Sequence, residues 1–245
     1  MAPQEIIIPS NAGDIRASYR PGNPIVVFSH GFGVESTSNG LFSDIASTLP
    51  AEYGYIRFNY YAIDSNTWNV PGLTDMVIKL QSVIEYALLI TSDVRLIAHS
   101  QGCTVASLAK VTCKQILFLA PPTRTISTSF KDLFVSKRAG RARIDSSGNV
   151  HLVRKSDSKE LIISTMWFSE MVNNTSFEMM LDLCRTESLH VIEALRDESI
   201  KDRRKYRSLE KSGAHIIPID ADHNFTLSTP RDELQQTILT ILGGA

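Results

Sequence analysis

"LIAHSQGCTVASLAK", residues 96–110, carries the reading of the fold. Its left half completes "VRLIAH", an apolar run of strand character, and its right half is rich in small residues at helical spacing, so the chain changes from strand to helix at Ser100. A serine on that corner has two readings. Its hydroxyl caps the helix that follows, or a sharp turn lifts it clear of the sheet as a nucleophile while the helix N-terminus aims backbone N–H groups at whatever binds there. The second reading needs small residues two positions before and after the serine, and Ala98 and Gly102 occupy them.

Outward from this corner, strand-like and helix-like segments alternate, the pattern of a mostly parallel sheet covered by helices on both faces. "EIIIP" and "IRASYR" read as an opening hairpin around "NAGD", and "PIVVFSHGFG" as a strand buried on both faces and ending in glycines. Leu41, Phe42, Ile45 and Leu49 mark a helix stopped by Pro50, "YIRFNYY" is a strand, and residues 72–90 form a helix with Thr74 as its expected cap. "QILFLAPP" is again a strand. The alternation breaks between Pro122 and Glu187, which predicts an inserted unit over 122–188 against a core of 1–121 and 189–245. Inside it, "RARIDSSGNVHLVRK" reads as a hairpin, and "SKELIISTMWFSEMVNN" and "SFEMMLDLCRT" read as helices. Afterwards "LHVIEAL" is a strand, "SIKDRRKYRSLEKSG" a helix closed by Gly213, "AHIIPID" a strand, and "TPRDELQQTILTILGG" a helix opened by Thr229 and Pro230. The expected class is α/β, with about eight strands in the central sheet.

A chain of 245 residues, 43% hydrophobic and 21% charged, is sized for one such core. Its net charge of −1 exerts no general pull toward nucleic acid or an anionic membrane. No apolar run approaches the roughly 20 residues of a membrane span. The opening residues lack the pattern of a secretory signal, and Cys103, Cys113 and Cys184 form no CxxC pair, so a cytoplasmic location is expected. "DADH", residues 220–223, has no second histidine at zinc-site spacing, and neither a P-loop nor GxGxxG follows a strand. No metal and no cofactor are expected. Cys103 reads as a small buried residue.

The A-H-S-Q-G of residues 98–102 resembles the G-x-S-x-G nucleophile elbow of the α/β-hydrolase superfamily, departing from it only at Ala98. The resemblance covers residues 24–121 and 189–243. It implies Ser, acid and His in that chain order. Asp197 in "RDESI" follows one strand and His223 in "ADHNF" follows another, a context similar to the family's terminal D-H-x-F. Glu198 and Glu193 are rival acids. Among rival histidines, His215 and His190 lie early in their strands, His151 lies in the hairpin, and His30 and His99 read as structural hydrogen-bonders. "HGFG", residues 30–33, resembles the family's oxyanion loop and implies the backbone N–H groups of Phe32 and Gln101 as donors.

The resemblance implies a cofactor-free serine hydrolase acting on a small-molecule carboxylic ester; a thioesterase or acyltransferase with the same residues, and a non-catalytic binding protein, are the alternatives. In position, the insertion is similar to the small cap of cinnamoyl and feruloyl esterases. Trp68, Met166, Trp167, Phe168 and Met171 are candidates for lining a substrate pocket, with packing of the cap as the competing role. The basic run "SKRAGRAR", residues 136–143, recruits an anionic substrate, binds nucleic acid or is a solvated face; it lacks interleaved aromatics, which disfavours nucleic acid. Oligomeric state is not readable from the sequence.

Overall fold

The computed structural model describes residues 2–123, 126–172, 174–200 and 203–243. In chain order its elements are β1 (Gln4–Ile8), β2 (Ile15–Arg20), β3 (Ile25–Ser29), α1 (Leu41–Thr48), β4 (Gly54–Phe58), β5 (Ala62–Ile63), β6 (Thr67–Val70), α2 (Leu73–Ile90), β7 (Val94–His99), α3 (Gln101–Ala109), β8 (Gln115–Leu119), α4 (Phe130–Ser136), β9 (Ala142–Ile144), β10 (Val150–Val153), β11 (Glu160–Ile163), α5 (Thr165–Val172), α6 (Ser176–Thr186), β12 (Leu189–Ala194), α7 (Arg204–Lys211), β13 (His215–Ile219) and α8 (Ser228–Gly243).

Among the described residues the main sheet has eight strands in the order β1-β2-β4-β3-β7-β8-β12-β13. The hairpin β1–β2 is antiparallel, as is β2–β4, and every later pairing is parallel. Parallel strands need crossovers, and the helices supply them on both faces. Successive residues of β3 therefore enter opposite cores. Ile25 and Val27 pack with Met76, Leu80 and Val83 of α2, whereas Val26 and Phe28 pack with Phe42 and Ile45 of α1 and Leu234 and Ile238 of α8. Burial on both faces is why these strands read as unbroken apolar runs.

A second sheet has the order β5-β6-β11-β10-β9, with β6 and β11 parallel and the other pairs antiparallel. Trp68, Val70, Val150, Leu152, Leu161 and Ile163 turn their apolar sides into the same core as α2. Here the structure corrects the sequence reading: residues 160–163 form β11, not helix, because alternate burial of Leu161 and Ile163 fits a strand seated between β6 and β10.

Two helix starts also differ. Gly72, not Thr74, is the N-cap of α2, and it has no side-chain capping bond. Thr74 lies in the first turn, where its N–H and hydroxyl both donate to the Glu170 carboxylate of α5 (3.2 and 2.6 Å). The helix expected over 199–213 is formed over Arg204–Lys211, with Lys201 and Asp202 outside the described residues. Gly213, at φ 113°, follows it in a conformation that side chains resist.

Candidate functional site

β3, β7, β12 and β13 all run in one direction, so the segments that follow them gather along one edge of the sheet. Register carries β7 next to both its neighbours: Ala98 pairs with Ser29, and His99 with Leu119. One residue later the Ser100 N–H donates to the Leu119 carbonyl at 3.0 Å, and the chain bends straight into α3. Ser100 takes φ 52°, ψ −121°, a conformation costing a non-glycine residue on the order of 1–3 kcal/mol. Its hydroxyl makes no capping bond to α3. The helix-cap reading of this serine is therefore not the one the geometry adopts.

The small neighbours have different reasons. A Cβ at Gly102 would lie 2.1 Å from the Ser29 carbonyl oxygen, so the close approach of α3 to β3 admits only glycine. Ser29 tightens that approach by donating to the Gly102 carbonyl (3.1 Å) while accepting from the Tyr60 hydroxyl (2.7 Å). The Ala98 methyl is fully buried within the core shared with α2, where an extra carbon finds ordinary apolar contact.

His223, in the turn after β13, places Nε2 2.8 Å from Ser100 Oγ and Nδ1 2.5 Å from Asp197 Oδ2. Asp197 follows β12, and its side chain is 0% exposed, against 29% for His223. The second carboxylate oxygen accepts from the Ser199 N–H (2.8 Å) and hydroxyl (2.6 Å). Burial opposes ionisation of Asp197, but the bonds from His223 and Ser199 outweigh it and hold the carboxyl below its ordinary value. An ionised acceptor at Nδ1 puts the imidazole proton there. Nε2 is then free to take the Ser100 proton.

His99, buried beside the corner, bonds through Nε2 to the His223 carbonyl (2.9 Å) and through Nδ1 to the Ser38 hydroxyl (3.1 Å). Burial, followed by the neighbouring His223 charge, pushes its pKa down to about 4. It therefore stays neutral and steadies the turn carrying His223. His30 is likewise buried and neutral. Its Nδ1 donates to the Gly31 carbonyl (2.9 Å), its Nε2 accepts from the Tyr60 N–H (3.1 Å), and burial lowers its pKa to about 4. Gln101 opens α3, so its N–H has no carbonyl one turn earlier to bond. Phe32 lies in the loop after β3.

Phe32, Ser100, Gln101 and His223 line one cavity of about 360 Å³. Trp167 and Met171 also line it. Phe32 stacks against Trp167 with ring centroids 4.7 Å apart, and Phe130 and Phe134 of α4 extend the aromatic wall. The other three pocket candidates are not brought there. Trp68 is buried in β6 beneath the Arg154 guanidinium, 3.6 Å from its ring centroid; Phe168 packs behind Phe134 and Trp167; Met166 is 54% exposed on the outer side of α5. On a helix, residue 166 points away from the face shared by 167 and 171. Phe130 and Phe134 were missed in sequence although "FKDLF" places them at i, i+4. No group of three or more His, Cys, Asp or Glu side chains among the described residues is arranged to hold a metal ion.

No protein-family model matches the sequence, and no curated protein resembles it in sequence. Solved structures do resemble it. Est1E of Butyrivibrio proteoclasticus, solved with ferulic acid bound, superposes with a TM-score of 0.70 at 12% identity, over 97% of each chain. A thermophilic esterase of Thermogutta terrifontis, solved with malate, gives 0.66 at 15% identity over 98% of each chain, and an esterase domain of a Rhodothermus marinus protein gives 0.64 at 13% over 97% and 96%. The chain has the α/β-hydrolase fold. Ser100, Asp197 and His223 meet beyond the carboxyl ends of the parallel strands. No helix among the described residues is long and apolar enough to cross a membrane.

Proposed function

We propose that this α/β-hydrolase-fold protein is a serine hydrolase cleaving small-molecule carboxylic esters through an acyl-enzyme intermediate. The observation that carries the reading is the continuous hydrogen-bonded relay from Ser100 Oγ through His223 to buried Asp197, at 2.8 and 2.5 Å. Strain at Ser100 supports it, since a merely structural serine has no need of that backbone conformation.

In the reaction, Ser100 Oγ attacks the ester carbonyl carbon and its proton passes to His223 Nε2. The carbonyl π electrons move onto oxygen, and the Phe32 and Gln101 N–H groups hold that oxyanion. As the intermediate collapses, the C–O bond to the alcohol breaks and His223 returns its proton to the leaving oxygen. Water then attacks the acyl carbon, giving one proton to His223, which passes it back to Ser100 Oγ as the carboxylic acid departs. Asp197 keeps Nδ1 protonated and stabilises the imidazolium formed twice in the cycle. Residues 122–188 act as a cap, with α4 and α5 walling the cavity above Ser100. The three described cysteines are free and buried, which suits a reducing cytoplasm.

Hydrolysis of 4-nitrophenyl esters of graded acyl length by the wild type and by Ser100→Ala tests the reading. Turnover in the wild type and a loss of about 10⁴-fold or more in the variant are expected; equal rates in the two proteins would overturn it.

A further inference from the structure

The cavity that holds Ser100 and His223 is also lined by Lys137 and Arg138, directly after α4, and by no carboxylate among the described residues. Several cations of the chain meet acids, Arg143 with Glu160, Arg154 with Asp157, Arg203 with Glu193 and Arg231 with Asp44, all at 2.8–3.1 Å, while others such as Arg20 donate to backbone carbonyls at the surface of the core. What sets Lys137 and Arg138 apart is that two adjacent cations without an acid partner among the described residues line the same cavity. Arg138 lies 3.8 Å from the Phe134 ring centroid and, among the described residues, its guanidinium donates only to the Phe134 carbonyl (3.1 Å), Arg141 donates to the Val153 carbonyl (3.1 Å), and Lys131 donates to the Gly148 carbonyl.

Burial, followed by the charge of nearby Arg141, lowers the Arg138 pKa, so this guanidinium has lost hydration without gaining an anion. Stacking on Phe134 and proximity to the C-terminus of α4 account for one cation here. They do not account for a second, exposed cation beside it, nor for the lack of a balancing carboxylate. Apolar walls of low dielectric strengthen the field of such a pair inside the cavity.

We infer that the substrate carries an anionic group on the portion filling this cavity, away from the ester carbonyl, and that Lys137 and Arg138 receive it. The inference rests on the ester-hydrolase reading and names the substrate class of the same site. The aromatic wall of Phe32, Phe130, Phe134 and Trp167 encloses the apolar stem between ester and anion.

The test compares mono-4-nitrophenyl esters of adipic and suberic acids, which carry a free distal carboxylate, with their neutral methyl-ester counterparts. A second arm, 4-acetoxybenzoate against methyl 4-acetoxybenzoate, puts the charge on the alcohol side and identifies which part of the substrate enters the cavity. In one arm or the other, kcat/KM is expected to favour the anionic ester by about tenfold or more at low salt, with the advantage shrinking at about 0.5 M salt. The ratio is expected to fall toward one in Lys137→Gln combined with Arg138→Gln. Lys137→Gln alone, a change at an exposed side chain, is expected to lower it part-way and covers the case in which loss of Arg138 disturbs α4. Hydrolysis with no preference for the anion in either arm, or a preference that survives both variants, overturns the inference alone. Absence of any Ser100-dependent hydrolysis overturns the ester-hydrolase reading and the inference with it.

Discussion

The Asp197 carboxylate is divided between two partners: one oxygen accepts from His223 Nδ1 at 2.5 Å, and the other accepts twice from Ser199. A fully buried carboxylate with every bond directed at its ionised form has one stable arrangement, so the His223 ring plane is set from behind. Asp197→Asn replaces one acceptor oxygen by an NH2 group. The Ser199 donors draw the remaining oxygen to themselves, which turns NH2 toward His223 and favours the imidazole tautomer whose Nε2 bears the proton. Ester hydrolysis kinetics are expected to show kcat reduced about 10³–10⁴-fold with KM little changed. A smaller loss than that of Ser199→Ala would contradict this assignment of partners.

Tyr61 pins the loop that carries the proposed oxyanion donor. Its hydroxyl accepts from the Gly33 N–H (3.0 Å) and donates to the Gly31 carbonyl (3.2 Å), clasping both peptides that flank Phe32. Tyr61→Phe removes the clasp while the buried ring keeps its packing against His30. Positioning errors of this kind appear in the transition state more than in binding. About a tenfold fall in kcat is expected, with KM held and a matching loss of affinity for a trifluoromethyl ketone that mimics the tetrahedral intermediate. A change in KM alone would assign Tyr61 to substrate binding instead.

Gly102 and Ala98 occupy equivalent positions about Ser100 yet tolerate change unequally. Gly102→Ala sets a methyl against the Ser29 carbonyl and is expected to destabilise the protein by roughly 2 kcal/mol or more in urea unfolding. Ala98→Gly restores the commoner small residue at the cost of strand rigidity, about 1 kcal/mol. Its rate of ester hydrolysis is expected to stay near that of the wild type, and a large loss would show that the Ala98 methyl does more than fill the core.

Stability should fall in mild acid because two buried histidines stay neutral in the native protein. His30 and His99 have pKa values near 4 when folded, against 6.5 when unfolded. Above pH 6.5 neither state binds these protons and nothing is lost; between pH 6.5 and 4 the unfolded chain gains protons that the native chain refuses. Each histidine removes on the order of 3 kcal/mol by the time pH reaches 4. Asp197, lowered from an ordinary 3.8, adds its loss only below that range. Unfolding free energies measured from pH 8 to 4 should decline from about 6.5 downward, less steeply in His99→Gln; a flat profile would contradict the assignment of neutral buried histidines.

The centre of the main sheet was legible because β3, β7 and β8 are buried on both faces, so runs such as "IVVFS" and "VRLIAH" announce themselves. The meeting of Ser100, Asp197 and His223 was legible for a related reason: Ser100 directly follows a parallel strand, and Asp197 and His223 lie in the short turns after two others. Of the second sheet only the β9–β10 hairpin was legible, through the turn residues of "SSGN". β5 has two residues and β6 four, too few for a period to register, and β6 pairs with β11 across about 90 residues of sequence. "ELII" therefore reads as the start of a helix until β6 and β10 are seen on either side of it. The Glu170 bond to Thr74 was hidden by the same non-locality, since an acid 96 residues away replaces a local cap.

All of the proposed chemistry starts at Ser100, a nucleophile activated by His223. Incubation with a fluorophosphonate, followed by mass spectrometry of the intact protein and its peptides, measures this without knowledge of the natural ester. Stoichiometric labelling is expected, confined to the peptide bearing Ser100 and abolished in His223→Ala. An unlabelled protein, or labelling that is unchanged when His223 is removed, would contradict the relay from which the proposed chemistry follows.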